Sequence, residues 1–229
     1  MSEVFALKID SGTNVGNYDR LMSCVSSEKQ ARIKKYRMQE DALRALFGDL
    51  MVRYVICTRL NLTNEELFFK LNDYGKPYLL GNTDFNFNIS HSGEWVVCIA
   101  DSSPAGIDVE GIRSMDMKIA ERFFSKDELI DINSKQPCDR VDYFFQLWTL
   151  KESYIKACGK GLSIPLDSFS IRMAANNIYV EDSNGSSKWF FKQYDIGEGY
   201  KMAACSMHNK FPDNVERIGV LELSGFFDV

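Results

Sequence analysis

Residues 85–110, FNFNISHSGEWVVCIADSSPAGIDVE, decide the fold that the sequence predicts. The first six of these residues alternate strictly between apolar and polar side chains, which is typical of a β-strand with one buried face. Residues 91–94 predict a hairpin turn into a second strand at 95–100. Alternation returns at 106–110 and predicts a third strand. Short antiparallel strands joined by tight turns are therefore expected at the centre of the chain.

Helical patterns flank this stretch on both sides. Apolar residues at helical spacing predict a long helix from about residue 39 to 60, and Ser27 is the predicted cap of a shorter helix before it. Helices and strands mix without a regular βαβ rhythm, so we predict an α+β fold that divides into two domains, 1–105 and 106–229. The other predicted elements are helices at about 115–124 and 142–158 and strands at 169–173, 189–194 and 202–207.

Composition and charge exclude several classes of protein. With 229 residues and 45% hydrophobic side chains the chain can bury a core. Its net charge of −5 argues against bulk nucleic-acid binding, so any anion site must come from a local basic cluster. Residues 1–8 lack the basic head and apolar core of a signal peptide, so none is expected, and no apolar run is long enough to cross a membrane. The six cysteines include no C-x-x-C pair, which indicates reduced thiols and a cytoplasmic protein.

Two acidic residues stand out in the third predicted strand. Asp108 and Glu110 are one residue apart, so both carboxylates point to one face of the strand while Ile107 and Val109 point into the core. Their alpha carbons would be about 7 Å apart, a gap that two side chains can close around one ion. Hard oxygen ligands with room for water and phosphate oxygens suit magnesium. The alternative is a solvent-facing strand with two ordinary surface acids.

Glu152 and Lys156 are four residues apart in a predicted helix and share one of its faces. One interpretation is an exposed ion pair, which is common on helices. The other is functional: Glu152 contacts a metal or accepts a proton, and Lys156 neutralises charge on a phosphate group.

Positive charge is concentrated before and within the long predicted helix. Two interpretations are open, a solvated helix face or a local anion-binding patch. Lys76 lies on stiff backbone in a turn at 72–77, and Ser90 and His91 end a strand where they can face an anion, although a lone histidine is more often structural. The basic residues within positions 29–44 are Lys29, Arg32, Lys34, Lys35, Arg37 and Arg44.

Taken in order, several segments resemble the signature of 4′-phosphopantetheinyl transferases. They are FNISHS at 87–92, GIDVE at 106–110, WTLKES at 148–153 and KACGKG at 156–161, with YGKP at 74–77 and RFFS at 122–125. The resemblance covers roughly residues 20–210. The length is similar to that of the Sfp-type subfamily, which implies a monomer of two similar halves related by a pseudo-twofold. Each half would hold a small, mostly antiparallel sheet packed by helices.

The resemblance also implies roles for particular residues. Asp108, Glu110 and Glu152 would hold magnesium, or manganese, with the pyrophosphate of coenzyme A, and the catalytic residues would be Glu152, Lys156, His91 and Asp108. Coenzyme A contacts would come from Lys156, Ser90 and His91 at the phosphates, from Lys29, Arg32 and Arg44 near the 3′-phosphate, and from Gly75, Lys76 and Pro77 near the adenine. Two positions depart from the family pattern: Arg32 replaces a lysine, and Ala45 replaces a hydroxyl residue.

The implied reaction moves phosphopantetheine from coenzyme A to a serine of an apo acyl or peptidyl carrier protein, without nucleic acid or membrane as a partner. Residues 111–124 form the candidate carrier-docking surface, where Met115 and Met117 could adapt to several partners. Met115, Met117, Phe123 and Phe124 could instead pack a helix onto the core. A magnesium-dependent phosphatase or nuclease, and a non-catalytic module that binds coenzyme A or a carrier, are the rival functions.

Overall fold

The computed structural model describes residues 1–10, 18–174, 177–182 and 189–227, and these form two halves that repeat one order of elements. Each half runs from a strand through short helices to one long helix, and then through a small hairpin to two paired strands. The first half contains β1 (Glu3–Lys8), α1 (Tyr18–Ser23), α2 (Ser27–Ile33), α3 (Gln39–Leu60), β2 (Phe69–Leu71), β3 (Pro77–Leu79), β4 (Asn86–Ser92) and β5 (Trp95–Asp101). The second half contains β6 (Ala105–Gly111), α4 (Ala120–Phe123), α5 (Lys126–Ser134), α6 (Arg140–Cys158), β7 (Phe169–Ala174), β8 (Asn177–Asp182), β9 (Phe190–Tyr194) and β10 (Tyr200–Ser206).

The strand order repeats as well. In the first half β1 pairs with β5 and β5 with β4, while in the second half β6 pairs with β10 and β10 with β9, all antiparallel. The hairpins β2–β3 and β7–β8 also correspond. The predicted α+β fold with two similar halves is therefore confirmed. After β10 the chain returns to the first half as β11 (Glu216–Arg217), parallel to β1, and as α7 (Val220–Phe226).

Successive side chains of a strand point to opposite faces, so the buried residues of β5 belong to two different apolar clusters. On β5, Val96 and Cys98 pack toward α3, whereas Val97 and Ile99 face a second apolar layer shared with Ile107 of β6. This layer joins the two sheets, and a third cluster packs α6 on the second half. Because β5 is buried on both faces, its sequence is a continuous apolar run, as expected for a central strand.

Gly106 allows α6 to lie directly on β6. A Cβ atom at this position would lie 2.1 Å from the carbonyl oxygen of Ser153 and 2.4 Å from the amide nitrogen of Ala157. Both are backbone atoms of α6, so no side-chain movement could relieve the contact. A glycine is therefore needed where this helix crosses the strand.

Several sequence predictions need correction. The α2 cap is Ser26 rather than Ser27, because the Ser26 side chain accepts a hydrogen bond from Lys29 N. β4 continues through Ser92, which pairs with Trp95, so His91 lies in the strand and the hairpin turn is shorter than predicted. The predicted helix at 115–124 is a 3₁₀ turn, Met117–Ile119, followed by the single turn of α4. Asp116 caps this turn by accepting from the amide of Lys118, so the helical segment begins only at Met117, and Ser125 caps the next helix directly after Phe124.

Two predictions from composition can also be compared with the structure. Within the described ranges, no helix is long and apolar enough to cross a membrane. All six cysteines are free thiols, of which Cys57, Cys98 and Cys205 are buried and Cys138 is exposed.

Candidate active site

The pair Asp108 and Glu110 lies on the face of β6 that meets α6. Ile107, which precedes the pair, and Val109, which separates its two members, are buried in the apolar layer between the sheets, as predicted. Asp108 is only 4% exposed. The alternative of two ordinary surface acids is therefore wrong for Asp108, because a carboxylate is buried only where charged or polar partners compensate for lost water.

Asp108 is the centre of a polar junction between the halves. Its Oδ1 accepts hydrogen bonds from Lys156 Nζ and from Ser90 Oγ, both at 2.7 Å, and Lys156 Nζ also donates to Ser90 Oγ at 2.9 Å. Burial raises the pKa of Asp108, and the charge of Lys156 opposes this shift. The Oδ2 atom is buried and has no hydrogen-bond partner among the described residues. An unpartnered carboxylate oxygen at a cavity wall is available to a cation.

The other two acids are held differently. Glu110 is half-buried and accepts hydrogen bonds from Ser92 Oγ at 3.0 Å and from Arg113 Nη1 at 3.1 Å. The carboxylate of Glu152 makes no hydrogen bond or ion pair with another described residue. Burial first, and then the charge of Asp108, raise the pKa of Glu152. Since Lys156 of α6 pairs with Asp108 of β6, the alternative of an exposed pair with Glu152 is wrong.

These side chains line one cavity of ≈ 400 Å³. Trp148 and Ile89 provide its apolar walls, and the polar wall consists of Ser90, His91, Asp108, Glu110, Glu152 and Lys156. His91 and Ile89 also line a second cavity of ≈ 260 Å³, which holds Lys29 and Arg32. Glu152 and Lys156 extend into a third cavity of ≈ 240 Å³, which residues 74–77 close from the first half. The shared walls make these cavities one groove between the halves.

The predicted basic residues are placed unequally along the groove. Lys29 and Arg32 line the second cavity, with the Lys29 ammonium 3.5 Å from Asp49 Oδ1. Arg44 instead donates to the carbonyl oxygen of Gly93 and to Asp41 Oδ1, both at 2.6 Å, and it does not line these three cavities. The positive charge of Arg44 is still close enough to lower the pKa of His91.

His91 remains partly open to solvent at the point where two cavities meet. Desolvation by the cavity walls, followed by the charges of Arg44 and Lys156, lowers the pKa of His91. A lowered pKa favours the neutral imidazole, which can donate one hydrogen bond to an anion. A bound phosphate would favour its protonated form.

Side chains of β4 dock against β6 in a way that the sequence analysis missed. Asn88 Oδ1 accepts from the amide of Ile107 at 3.0 Å, and Ser92 Oγ accepts from the amide of Gly111 at 3.1 Å. With Ser90 between them, three alternate residues of β4 contact β6. The polar alternation Asn-x-Ser-x-Ser is the signal in the sequence, and from it only a strand with one buried face was predicted.

A buried ion pair fixes α6 on its far side. Lys151 Nζ lies 2.8 and 2.6 Å from the two carboxylate oxygens of Glu128, and it also donates to the carbonyl oxygen of Phe169 at 2.8 Å. Neither side chain of the pair is exposed to solvent. Because Lys151 directly precedes Glu152, this pair restrains the helix segment that faces the groove.

The carboxylates of Asp108, Glu110 and Glu152 are suitable ligands for a hard divalent cation. They do not form a preformed metal site. Across the described ranges, no three His, Cys, Asp or Glu side chains are grouped closely enough to hold a metal ion as they stand. Asp108, Glu110 and Glu152 nevertheless line one cavity, and Asp108 keeps a buried oxygen without a partner. Magnesium usually retains water and takes only a few protein carboxylates together with phosphate oxygens, so an open set of this kind suits it.

Two family descriptions together match most of the chain. "4′-phosphopantetheinyl transferase, N-terminal" matches residues 14–103, and "4′-phosphopantetheinyl transferase superfamily" matches residues 104–205. The second match includes β6 and α6, which carry the acids and Lys156. The chain belongs to the 4′-phosphopantetheinyl transferase superfamily and is an enzyme of that class.

Comparison with individual relatives shows which members of this superfamily the chain is similar to. It is 40% identical to 4′-phosphopantetheinyl transferase Sfp of Bacillus subtilis (strain 168), over 96% of this chain and 99% of that protein. A second 4′-phosphopantetheinyl transferase of Bacillus subtilis is 41% identical over 93% and 96% of the two chains. The gsp transferase of Aneurinibacillus migulanus is 39% identical over 99% and 95%. The resemblance to the Sfp-type subfamily is therefore confirmed.

Proposed function

We propose that this protein transfers the 4′-phosphopantetheine group of coenzyme A to a serine of an apo acyl or peptidyl carrier protein and releases 3′,5′-ADP. The observation that supports this most directly is the junction of Asp108, Lys156 and Ser90 at the centre of a groove that holds basic residues at one end. In this proposal residues 1–105 supply the nucleotide contacts, and residues 106–229 supply the metal site and the carrier-docking surface.

The metal would be held by Asp108, Glu110 and Glu152, with magnesium as the expected ion and manganese as an alternative. When bound, it would neutralise charge on the pyrophosphate of coenzyme A. Asp108 offers its free Oδ2, and Glu152 offers a carboxylate without a hydrogen-bond partner among the described residues. Glu110 is already shared with Ser92 and Arg113.

The side chains of the groove have separate roles in binding coenzyme A and in the transfer step. Lys156, Ser90 and His91 orient the pyrophosphate, while Lys29 and Arg32 hold the 3′-phosphate in the second cavity. Arg44 acts through its charge near His91, and residues 75–77 enclose the adenine. The carrier serine gives its proton to Glu152 and attacks the β-phosphorus. As the bond to 3′,5′-ADP breaks, the Lys156 ammonium stabilises the negative charge on the leaving group.

Glu152 is the proposed proton acceptor because its carboxylate is free and its pKa is raised. We expect Glu152→Gln to lower kcat by roughly 10²–10⁴-fold, the usual contribution of a general base. Raising the magnesium concentration should not restore it. The measurement is transfer rate against magnesium concentration. The control is Asp142→Asn at the start of α6, because this half-buried acid pairs with Lys201 rather than with a groove residue. Recovery at high magnesium would show that Glu152 serves only as a metal contact.

Carrier docking is proposed for residues 111–124. Phe124 is buried in the core of the second half, so it is excluded, whereas Met115 and Met117 are only half-buried. We expect Met117→Glu to raise the KM for carrier several-fold without weakening coenzyme A binding. Ile130→Glu, at a more exposed position on α5, is the control. An unchanged KM for carrier would remove this segment from the docking surface.

Intact-mass spectrometry of an apo carrier protein incubated with coenzyme A and magnesium tests the proposed reaction. The expected result is a mass gain of one phosphopantetheine that a chelator abolishes. A magnesium-dependent phosphatase would instead degrade coenzyme A without any carrier, and a binding module would leave both partners unchanged. We further propose that the enzyme acts in the cytoplasm as a monomer, which sedimentation of the purified protein would test.

A further inference from the structure

The side chain of Lys76 crosses from one half of the protein to the other. It starts at the tip of the β2–β3 hairpin, and its ammonium donates to the carbonyl oxygen of Lys156 at 2.7 Å and to that of Ala105 at 3.0 Å. The first acceptor belongs to α6 and the second to the start of β6. The ammonium therefore joins the first half to both elements that carry the acids of the groove.

Lys156 lies in the last turn of α6, where backbone carbonyls lack partners within the helix. A second side chain from the same hairpin acts beside it, because Asn72 Nδ2 donates to the carbonyl oxygen of Gly159 at 2.8 Å. Asn72 is itself fixed, since its Oδ1 accepts from the amides of Tyr74 and Lys76, both at 2.9 Å. The C-terminal end of α6 is thus capped by the other half of the molecule.

Lys76 is an unusual choice for a purely structural contact. Among the described residues no carboxylate forms an ion pair with it, and burial lowers the pKa of Lys76 to about 8. Lys76 is half-buried, and a desolvated lysine without a carboxylate partner opposes folding. Its positive charge nevertheless interacts favourably with the negative end of a helix and with a nearby anion. The side chain lines the same cavity as Glu152 and Lys156.

We infer that Lys76 is a positioning residue for the transfer reaction. Its ammonium holds the last turn of α6 against the first half and so sets where Glu152 and Lys156 lie relative to Ser90 of β4. This inference rests on the proposed function and deepens it. Lys76 contributes through the helix that it caps, and its uncompensated charge adds to the field that attracts a polyanionic coenzyme.

Hydrogen exchange at the end of α6 tests the capping without any need for catalysis. Lys76→Met keeps the length of the side chain and removes its donors, and Asn72→Ala removes the neighbouring cap. Both should accelerate amide exchange in residues 155–161, while Lys70→Met, at an exposed position of the same hairpin, should not. Unchanged exchange in Lys76→Met would overturn the inference.

Kinetics then separate positioning from a merely structural role. We expect Lys76→Met to lower kcat/KM for coenzyme A at least tenfold in protein that is fully folded. Lys76→Arg, which keeps a charge and donors, should recover most of this loss. The inference is wrong if Lys76→Met stays within twofold of the unchanged protein, or if arginine rescues nothing. A protein with normal exchange behaviour that modifies no carrier would contradict the proposed function instead.

The dependence on pH supplies a further readout. The groups that face Lys76 are Cys158 of α6 and Cys205 of β10, while Glu152 and Lys156 share its cavity. Because Lys76 loses its charge as pH rises through about 8, coenzyme A affinity should weaken above that pH. Lys76→Arg should weaken less over the same range, since arginine stays charged. If coenzyme A affinity depended on pH identically in Lys76→Arg and in the unchanged protein, the charge of Lys76 would have no role.

Discussion

Asp108→Asn should lower the rate of phosphopantetheine transfer by about 10²–10³-fold, the usual effect of removing one preorganised electrostatic contact to the reacting groups. Asparagine has nearly the same shape and can still accept from Lys156 and Ser90 through its carbonyl oxygen. It replaces the unpartnered Oδ2, however, with an amide that donates into the groove. The cation site would lose a charged ligand, and Lys156 would lose its ion-pair partner.

The measurement is the rate at which an apo carrier gains mass, with the urea midpoint recorded to confirm folding. Glu94→Gln is the matched control, because this exposed acid lies in the β4–β5 turn and pairs with Lys8 rather than with a groove residue. The control should transfer at the unchanged rate. If Asp108→Asn retained more than a tenth of the activity, the proposed centre of the site would have to lie elsewhere.

Features that depend on local periodicity were predicted well from the sequence. The long helix was expected at about 39–60, and α3 spans Gln39–Leu60. Likewise, alternation placed Ile107 in the core and Asp108 opposite it, as the structure shows. Such patterns are set by which face of an element is buried, and a single segment carries that information.

Contacts that depend on how the halves dock could not be predicted. The resemblance places Lys76 near the adenine, and the structure shows in addition that its ammonium donates to two carbonyl oxygens of the second half. Arg44, which the resemblance places near the 3′-phosphate, donates to the carbonyl oxygen of Gly93 and to Asp41. A long side chain can reach many partners from one backbone position, so its direction is decided by tertiary packing. Ala45 does line the cavity of Lys29, where the resemblance expects a hydroxyl group.

The internal repeat does not produce two equivalent sites. β1 occupies the place in the first half that β6 occupies in the second. Toward α3, however, β1 presents Phe5 and Leu7, which are buried in the first core. β6 presents Asp108 and Glu110 toward α6. The same architecture thus buries an apolar face in one half and leaves a polar groove in the other, and this difference hides the repeat from sequence comparison.

Gly106→Ala should damage both stability and activity although it adds a single methyl group. The added Cβ would meet the Ser153 carbonyl oxygen at 2.1 Å and the Ala157 amide nitrogen at 2.4 Å, so α6 must move away from β6. Overpacking of this kind costs about 3 kcal/mol, which corresponds to a fall in melting temperature of roughly 6–12 °C for a chain of this size. Since α6 carries both Glu152 and Lys156, a displacement of about 1 Å should also cost roughly 10²-fold in transfer rate.

Thermal unfolding and carrier modification, both measured on the same preparation, test this expectation. Gly225→Ala in α7 is the control, because a Cβ there meets nothing within 4 Å and alanine favours a helix over glycine by about 1 kcal/mol. The control should therefore match or exceed the unchanged protein in melting temperature and in rate. A Gly106→Ala protein with normal stability and activity would mean that α6 can shift on β6 without disturbing the groove. The junction of Asp108, Lys156 and Ser90 would then not depend on close packing of that helix.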